Sequence, residues 1–315
     1  MTTHIPNTTT HLAGMVLKNP VMTASGTFAS GKEYGGFFDL NTLGALVCKG
    51  VSNEPWPGNP PHRITETASG MLNAIGLQNP GAVAFIADDL QFMKQAVGID
   101  NPVSPTDRTK VIINLCGKTI DDYVAVTQAF QGQGADAYEI NISCPNIKEG
   151  GMAFGTDPVA AAKVIAAVKQ HADKPIIAKL SPNVTDIATI AQAVEAAGAD
   201  AISMINTLTG MAVDIHQRKP VLSIGSGGLS GPAVKPVALH LTSKVAKAVK
   251  IPIIGMGGIA TWQDAVAFIM VGATAIAVGT ANFYNPQATQ EIIAGIEQYL
   301  RDNQLTSLDD IRGVI

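Results

Sequence analysis

Charge is scarce in this chain and cysteine scarcer. Only 15% of the 315 residues are Asp, Glu, Lys or Arg, no Lys/Arg-rich run occurs, and the net charge is −4. That balance leaves no electrostatic footprint for nucleic acid. The three cysteines, Cys48, Cys116 and Cys144, are odd in number, far apart and without Cys-x-x-Cys spacing. Such usage argues against a disulfide framework or a zinc site and points to a reducing, cytoplasmic setting. The first residues, Met1–Thr10, are polar and lack the apolar core of a signal peptide. No period typical of a solenoid repeat is visible. One charge-free stretch, Ala265–Gln290, has the length of a membrane span, but Gly272, Gly279, Asn282 and Pro286 interrupt it. It parses as a short helix (Ala265–Val271), a turn and a buried strand (Thr274–Val278), so no membrane segment is expected.

Hydrophobic residues, at 46%, are plentiful enough for a large core and exclude disorder over most of the length. Apolar runs that read as strands lie at Val21–Ala24, Ala45–Cys48, Val111–Leu115, Ala137–Ile142, Pro175–Leu180, Ala201–Ile205, Pro252–Gly255 and Thr274–Val278. Ala-rich amphipathic segments separate most of them: Asp121–Gln131, Pro158–His171, Asp186–Ala197, Pro232–Val249, Thr261–Val271 and Pro286–Arg301. Asp157-Pro158 supplies an N-cap followed by proline at the first helical position. Continuously apolar strands alternating with helices imply a parallel sheet covered on both faces. Eight such units close a (β/α)8 barrel, here a single domain over residues 1–315. An N-terminal hairpin is expected around His11–Leu17, and elaborated top loops at Gly50–Lys110 and Thr207–Gly231. An open doubly wound sheet would need a Gly-rich phosphate loop after its first strand, and none is there.

In a barrel the C-terminal ends of the strands line the active site. Here they bring Ser25, Lys49-Gly50, Asn114, Asn141 with Cys144, Lys179, Asn206-Thr207, Gly255–Gly258 and Gly279-Thr280. The set is polar, holds no His, Asp or Glu and offers no metal-ligand cluster, so metal hydrolysis is disfavoured. Glycine-rich loops after the seventh and eighth strands are where this architecture binds phosphate, because bare backbone N–H groups approach it closely. Lys49 and Lys179 end apolar strands, where a lysine is costly unless it is used or paired; both could snorkel or pair with a carboxylate, and Lys179 could form a Schiff base, but two lysines without a neighbouring acid favour charge stabilisation of anionic ligands. Cys48 and Cys116 sit in apolar strands and read as inert core thiols. Cys144 lies past its strand between Asn141 and Asn146. It can act as nucleophile or general base, and with no His at hand the base role fits better. Asn73, Asn114, Asn141, Asn146 and Asn206 add neutral donors and acceptors suited to an imide or urea edge.

These motifs resemble those of a known family. Asn141-Ile142-Ser143-Cys144-Pro145-Asn146, followed by Gly150-Gly151 and Phe154-Gly155-Thr156, is similar to the catalytic loop of class 1 dihydroorotate dehydrogenases. Similarity continues through Lys49-Gly50-Val51, Asn73-Ala74-Ile75-Gly76-Leu77, Lys179-Leu180-Ser181-Pro182-Asn183, Ile205-Asn206-Thr207, Gly227–Ala233, Gly257-Gly258-Ile259 and Gly279-Thr280. Class 2 enzymes carry Ser at the base position and an N-terminal membrane-associated extension, so the Cys and the short N-terminus favour class 1. Gly150-Gly151, Met211–Asp214 and the Gly-Gly-Leu-Ser-Gly run resemble class 1B catalytic subunits more than the fumarate-using class 1A homodimers.

The resemblance implies one FMN per chain, with its phosphate on Gly257, Gly258, Gly279 and Thr280. Further contacts come from Ser25, Lys49, Gly50, Asn114, Asn141, Ile205 and Gly231, with Lys179 beside the ring. Dihydroorotate would meet Lys49 through its carboxylate, and Asn73, Ala74, Ile75, Gly76, Leu77, Asn141, Asn206 and Thr207. Cys144 would take the C5 proton as hydride leaves C6, giving orotate. A class 1B assembly would pair a homodimeric core with two electron-transfer subunits that carry FAD and a [2Fe–2S] cluster and pass electrons to NAD+. This chain has no cysteine cluster for iron–sulfur, which fits that division of labour.

Overall fold

The computed structural model describes residues 6–99, 107–143 and 154–315. Strands β1 (Thr10–Leu12) and β2 (Met15–Leu17) form the expected hairpin. Then come β3 (Val21–Thr23), β4 (Ala45–Val47), β5 (Ile64–Thr67) and β6 (Gly70–Asn73), and two short helices, α1 (Ala82–Ala87) and α2 (Asp89–Ala96). From there strand and helix alternate: β7 (Lys110–Leu115), α3 (Ile120–Phe130), β8 (Ala137–Asn141), α4 (Pro158–His171), β9 (Ile176–Lys179), α5 (Ile187–Ala196) and β10 (Ala201–Met204). A second excursion holds β11 (Leu208–Gly210), β12 (Val213–Asp214), β13 (Lys219–Pro220) and β14 (Gly227–Ser230). The chain ends with α6 (Lys235–Ala246), β15 (Ile253–Met256), α7 (Trp262–Met270), β16 (Ala275–Val278), α8 (Ala281–Tyr284) and α9 (Ala288–Asp302).

Strands β3, β4, β7, β8, β9, β10, β15 and β16 pair in parallel in that order, and β16 returns to β3 to close the barrel. Each expected strand is present. Helices α3, α4 and α7 start where their caps dictate. Asp157 accepts from the Ala160 N–H ahead of Pro158, while Thr119 with Asp122 and Thr261 with Asp264 form reciprocal capping boxes. The expected helix at Pro232–Val249 begins as a 3₁₀ turn at Pro232–Val234 before α6.

Alternation along each strand splits the apolar residues into two layers. Val21, Ile113, Ile140, Val164, Ile190, Phe268 and Ile292 belong to the layer between barrel and helices. Met22, Val47, Ile112, Ile177 and Ile254 fill the barrel, and Leu12, Met15 and Leu17 of the hairpin join them as its floor. Leu12 is fully buried. Leu12→Ala is therefore expected to destabilise the protein by about 2–5 kcal/mol in urea unfolding, the range for a buried Leu truncated in a packed core. A loss below about 1 kcal/mol would show that the hairpin is not part of that core.

The segment Gly50–Lys110 is richer than the top loop the sequence suggests. Helices α1 and α2 supply the missing cover between β4 and β7, and Phe85 of α1 packs edge-on against Phe130 of α3 at 6.0 Å. Strands β5 and β6 pair with β14 and β11 of the second excursion in a four-stranded antiparallel sheet. This sheet stands over the C-terminal end of the barrel. A Cβ on Gly258, just past β15, would lie 2.8 Å from the Gly231 carbonyl, and one on Gly231 would lie 2.6 Å from Gly70.

Candidate active site

Three strand ends and one inward carboxylate define the floor of the barrel mouth. Lys179, the last residue of β9, donates from Nζ to Ser25 Oγ at 2.9 Å across the barrel. Its ammonium also lies 3.7 Å from Glu139 Oε2, with both side chains almost fully buried. Glu139 sits in β8 two residues before Asn141, so both face inward. The expectation that the two lysines lack a neighbouring acid is thus corrected for Lys179. Its acid comes from the middle of the next strand, where a reading of strand ends does not look.

From Glu139 a line of hydrogen bonds climbs to the mouth. Asn114 Nδ2 donates to Glu139 Oε2 in a short contact, and Ser203 Oγ donates to Oε1 at 2.7 Å. Asn141 Nδ2 donates to Asn114 Oδ1 (3.3 Å), and Ser143 Oγ to Asn141 Oδ1 (2.7 Å). Asn206 Nδ2 donates to Ser143 Oγ (2.5 Å), and Thr207 N to Asn206 Oδ1 (2.8 Å). Tyr123 of α3 fixes the end of β8 from outside by donating to the Asn141 carbonyl at 2.8 Å. Three of the five singled-out carboxamides therefore converge directly, and Ser143 joins them without having been assigned a role. Asn146 and Cys144 lie outside the described residues, as do Gly150 and Gly151.

Lys49 stands beyond β4, half-buried. Burial, with Arg63 nearby, holds its amine below the ordinary lysine range, against an opposing pull from Cys116. A cavity of about 420 Å³ opens beside it, walled in part by Thr27, Phe28, Tyr34 and Phe283. Gly50 must be glycine, because a Cβ would sit 2.8 Å from Asn114 Oδ1. The same Cβ would touch Leu77 at 3.6 Å, so the 73–77 segment overhangs this corner. Asn73 ends β6 and donates to the Gly228 carbonyl at 3.3 Å. Ala74 is buried, Ile75 is half-buried, and Gly76 and Leu77 turn with φ of 74° and 54°. Asn79 accepts from the Ser52 and Gly81 N–H groups and donates to the Leu77 carbonyl.

Past the ends of β15 and β16 lies the glycine cradle. Gly257 and Gly258 adopt φ of 124° and 76°. Ile205 packs under Gly257, its N–H bound to the Met256 carbonyl at 3.0 Å. The backbone N–H groups of Gly257, Gly258, Gly279 and Thr280 find no acceptor among the described residues. Buried or half-buried amides without a partner ask for one, and four around one corner suit a phosphate. Thr280 Oγ1 donates to Ser230 Oγ at 2.9 Å, tying this corner to the overlying sheet beside Gly231. The cradle offers donors to a phosphate, and the lysines and amides offer charge and hydrogen bonds to an anionic, polar ligand. Cys48 takes no part: burial pushes its thiol up to about 12. Among the described residues no group of three or more His, Cys, Asp or Glu side chains is placed to hold a metal. Nor is any described helix long and apolar enough to cross a membrane.

Fold and mouth define a (β/α)8 enzyme with a glycine cradle at the ends of its last two barrel strands. The sequence model of dihydroorotate dehydrogenase matches residues 7–300. The chain belongs to the dihydroorotate dehydrogenase family. It is 57% identical over 303 residues to the dihydroorotate dehydrogenase B (NAD(+)), catalytic subunit of Alkaliphilus oremlandii, covering 96% of this chain and 97% of the relative. Proteins of the same name from Lachnoclostridium phytofermentans (55% over 309 residues, 98% and 99% covered) and Citrifermentans bemidjiense (50% over 311 residues, 98% of each) are also similar.

Proposed function

We propose that this chain is a class 1B catalytic subunit that oxidises (S)-dihydroorotate to orotate in pyrimidine synthesis. The single observation that carries the reading is the mouth itself, where the glycine cradle with unpartnered N–H groups faces Lys49, Lys179 and the amide line. The cradle of Gly257, Gly258, Gly279 and Thr280 would hold the phosphate of FMN, one per chain. Ser25, Gly50, Asn114, Ile205 and Gly231 would bound the rest, and Lys179 would supply positive charge to the bound cofactor. Bound FMN supplies the hydride acceptor that the oxidation needs. Lys49 pairs with the substrate carboxylate, and Asn73, Asn141, Asn206 and Thr207 meet its imide edges under the Ala74–Leu77 segment. Cys144 removes the C5 proton as base.

Electrons then leave to NAD+ through a partner that carries FAD and a [2Fe–2S] cluster, the catalytic subunits forming a homodimeric core of a cytoplasmic heterotetramer. The names of the similar proteins support NAD+ over fumarate. Orotate formation assayed with each acceptor, with and without co-purifying protein, tests this. Turnover by the isolated chain with fumarate would overturn the acceptor.

A pH dependence follows from Lys49. Only the protonated amine attracts a carboxylate, and its pKa is lowered by burial. As pH rises, kcat/KM, which reports the free enzyme, should fall at a lower pH than an ordinary lysine would dictate. In Lys49→Gln that limb should vanish.

A further inference from the structure

We propose that Glu139 is a positioning residue of the reaction: a fixed counter-charge that sets the flavin's potential through Lys179 and the donor–acceptor sense of the amides at the mouth. The proposal rests on the reading above, in which FMN lies against Lys179.

Glu139 is 2% exposed in the middle of β8, and strands on both sides converge on it. Ser203 of β10 and Asn114 of β7 each donate to one carboxylate oxygen, and Lys179 of β9 stands 3.7 Å from the second. A carboxylate so buried is retained against the cost of desolvation only when it is paired and hydrogen-bonded.

The first consequence is directional. An ionised carboxylate only accepts. Asn114 must therefore turn Nδ2 toward Glu139, which leaves its Oδ1 for Asn141 Nδ2. Asn141 in turn offers Oδ1 to the Ser143 hydroxyl, whose oxygen receives Asn206 Nδ2, and Asn206 Oδ1 takes the Thr207 N–H. One group at the floor of the mouth thus decides which face of each amide is spent internally and which remains for a ligand.

The second consequence is electrostatic. Lys179 is the positive charge available to the negative charge that a flavin gains on reduction. Glu139 shares that ammonium and weakens its pull, so it holds the flavin's potential down.

Glu139→Gln in the full-length, flavin-loaded protein separates these roles. Gln Oε1 can still accept from Asn114, so KM for dihydroorotate should stay within about threefold. The two-electron potential, read by anaerobic titration against a reference dye, should rise by about tenfold in the reduction equilibrium, about 30 mV. Glu139→Met removes both charge and acceptor, and should raise the potential similarly while raising KM about tenfold or more. It also serves where the Gln variant fails to fold. A wild-type protein without flavin overturns the functional reading and this proposal with it. A yellow wild type whose variants keep its potential overturns this proposal alone.

Discussion

Cys144→Ser is expected to slow reduction of the flavin by dihydroorotate by about 10²- to 10⁴-fold near neutral pH, the usual contribution of a positioned general base. The proton at C5 is only weakly acidic, so the base must have an ionised or nearly ionised form within reach. A thiol with a pKa of about 8.5 offers a few per cent thiolate at neutral pH, whereas a serine hydroxyl ionises far less readily. Ile142 and Ser143 are buried, and the Ser143 hydroxyl is held between Asn141 and Asn206 at the mouth. Binding should be little affected, because the substitution exchanges one small polar group for another. Rapid-mixing absorbance measures the step, and the residual rate of the variant should keep rising at pH values where the wild type has levelled off. An unchanged rate would remove Cys144 as the base.

Gly258→Ala is expected to yield a folded, largely colourless protein. At φ of 76° an L-residue is strained by about 1–2 kcal/mol. The added Cβ would also lie 2.8 Å from the Gly231 carbonyl, 2.8 Å from Lys235 Cβ and 2.9 Å from Lys235 N. These are mostly backbone or near-backbone atoms, so the loop must open instead of the neighbours yielding. Lys235 is further held by its ion pair with Asp264 at 2.5 Å, and Asp264 accepts the Ala260 and Thr261 N–H groups of the same loop. Opening the loop misaligns the cradle. Losing one or two charge-assisted hydrogen bonds of about 1.5–3 kcal/mol each weakens FMN binding by on the order of 10- to 10⁴-fold. Gly279→Ala should be far milder, since its Cβ would meet Ala24 Cβ at an ordinary 3.4 Å. Flavin content per chain, with fluorescence titration of the apoprotein, distinguishes the two. Full flavin content in Gly258→Ala would contradict the cradle.

The barrel was legible in the sequence because its strands are continuously apolar and its helices announce themselves. Asp157-Pro158 alone fixes the start of α4. What stayed hidden has physical reasons. Helices α1 and α2 are only 6 and 8 residues long and follow a stretch rich in Pro, Gly and Asn. The sheet over the mouth joins segments far apart in the chain, Gly228 opposite Asn73, and β14 consists of Gly-Gly-Leu-Ser, which has little strand propensity. Gly228 is there for space, because a Cβ would lie 2.0 Å from Thr207 Oγ1. Glu139 left a signal that was available: a lone acid in an apolar strand, two residues before Asn141 and hence on the same inward face. Reading strand ends alone passes over it.

The visible spectrum under anaerobic conditions tests the central claim most directly. The purified chain should be yellow, with about one flavin per chain. Added dihydroorotate should bleach the flavin band and release orotate in equal amount. A colourless protein, or a flavin that dihydroorotate leaves oxidised, would contradict the account.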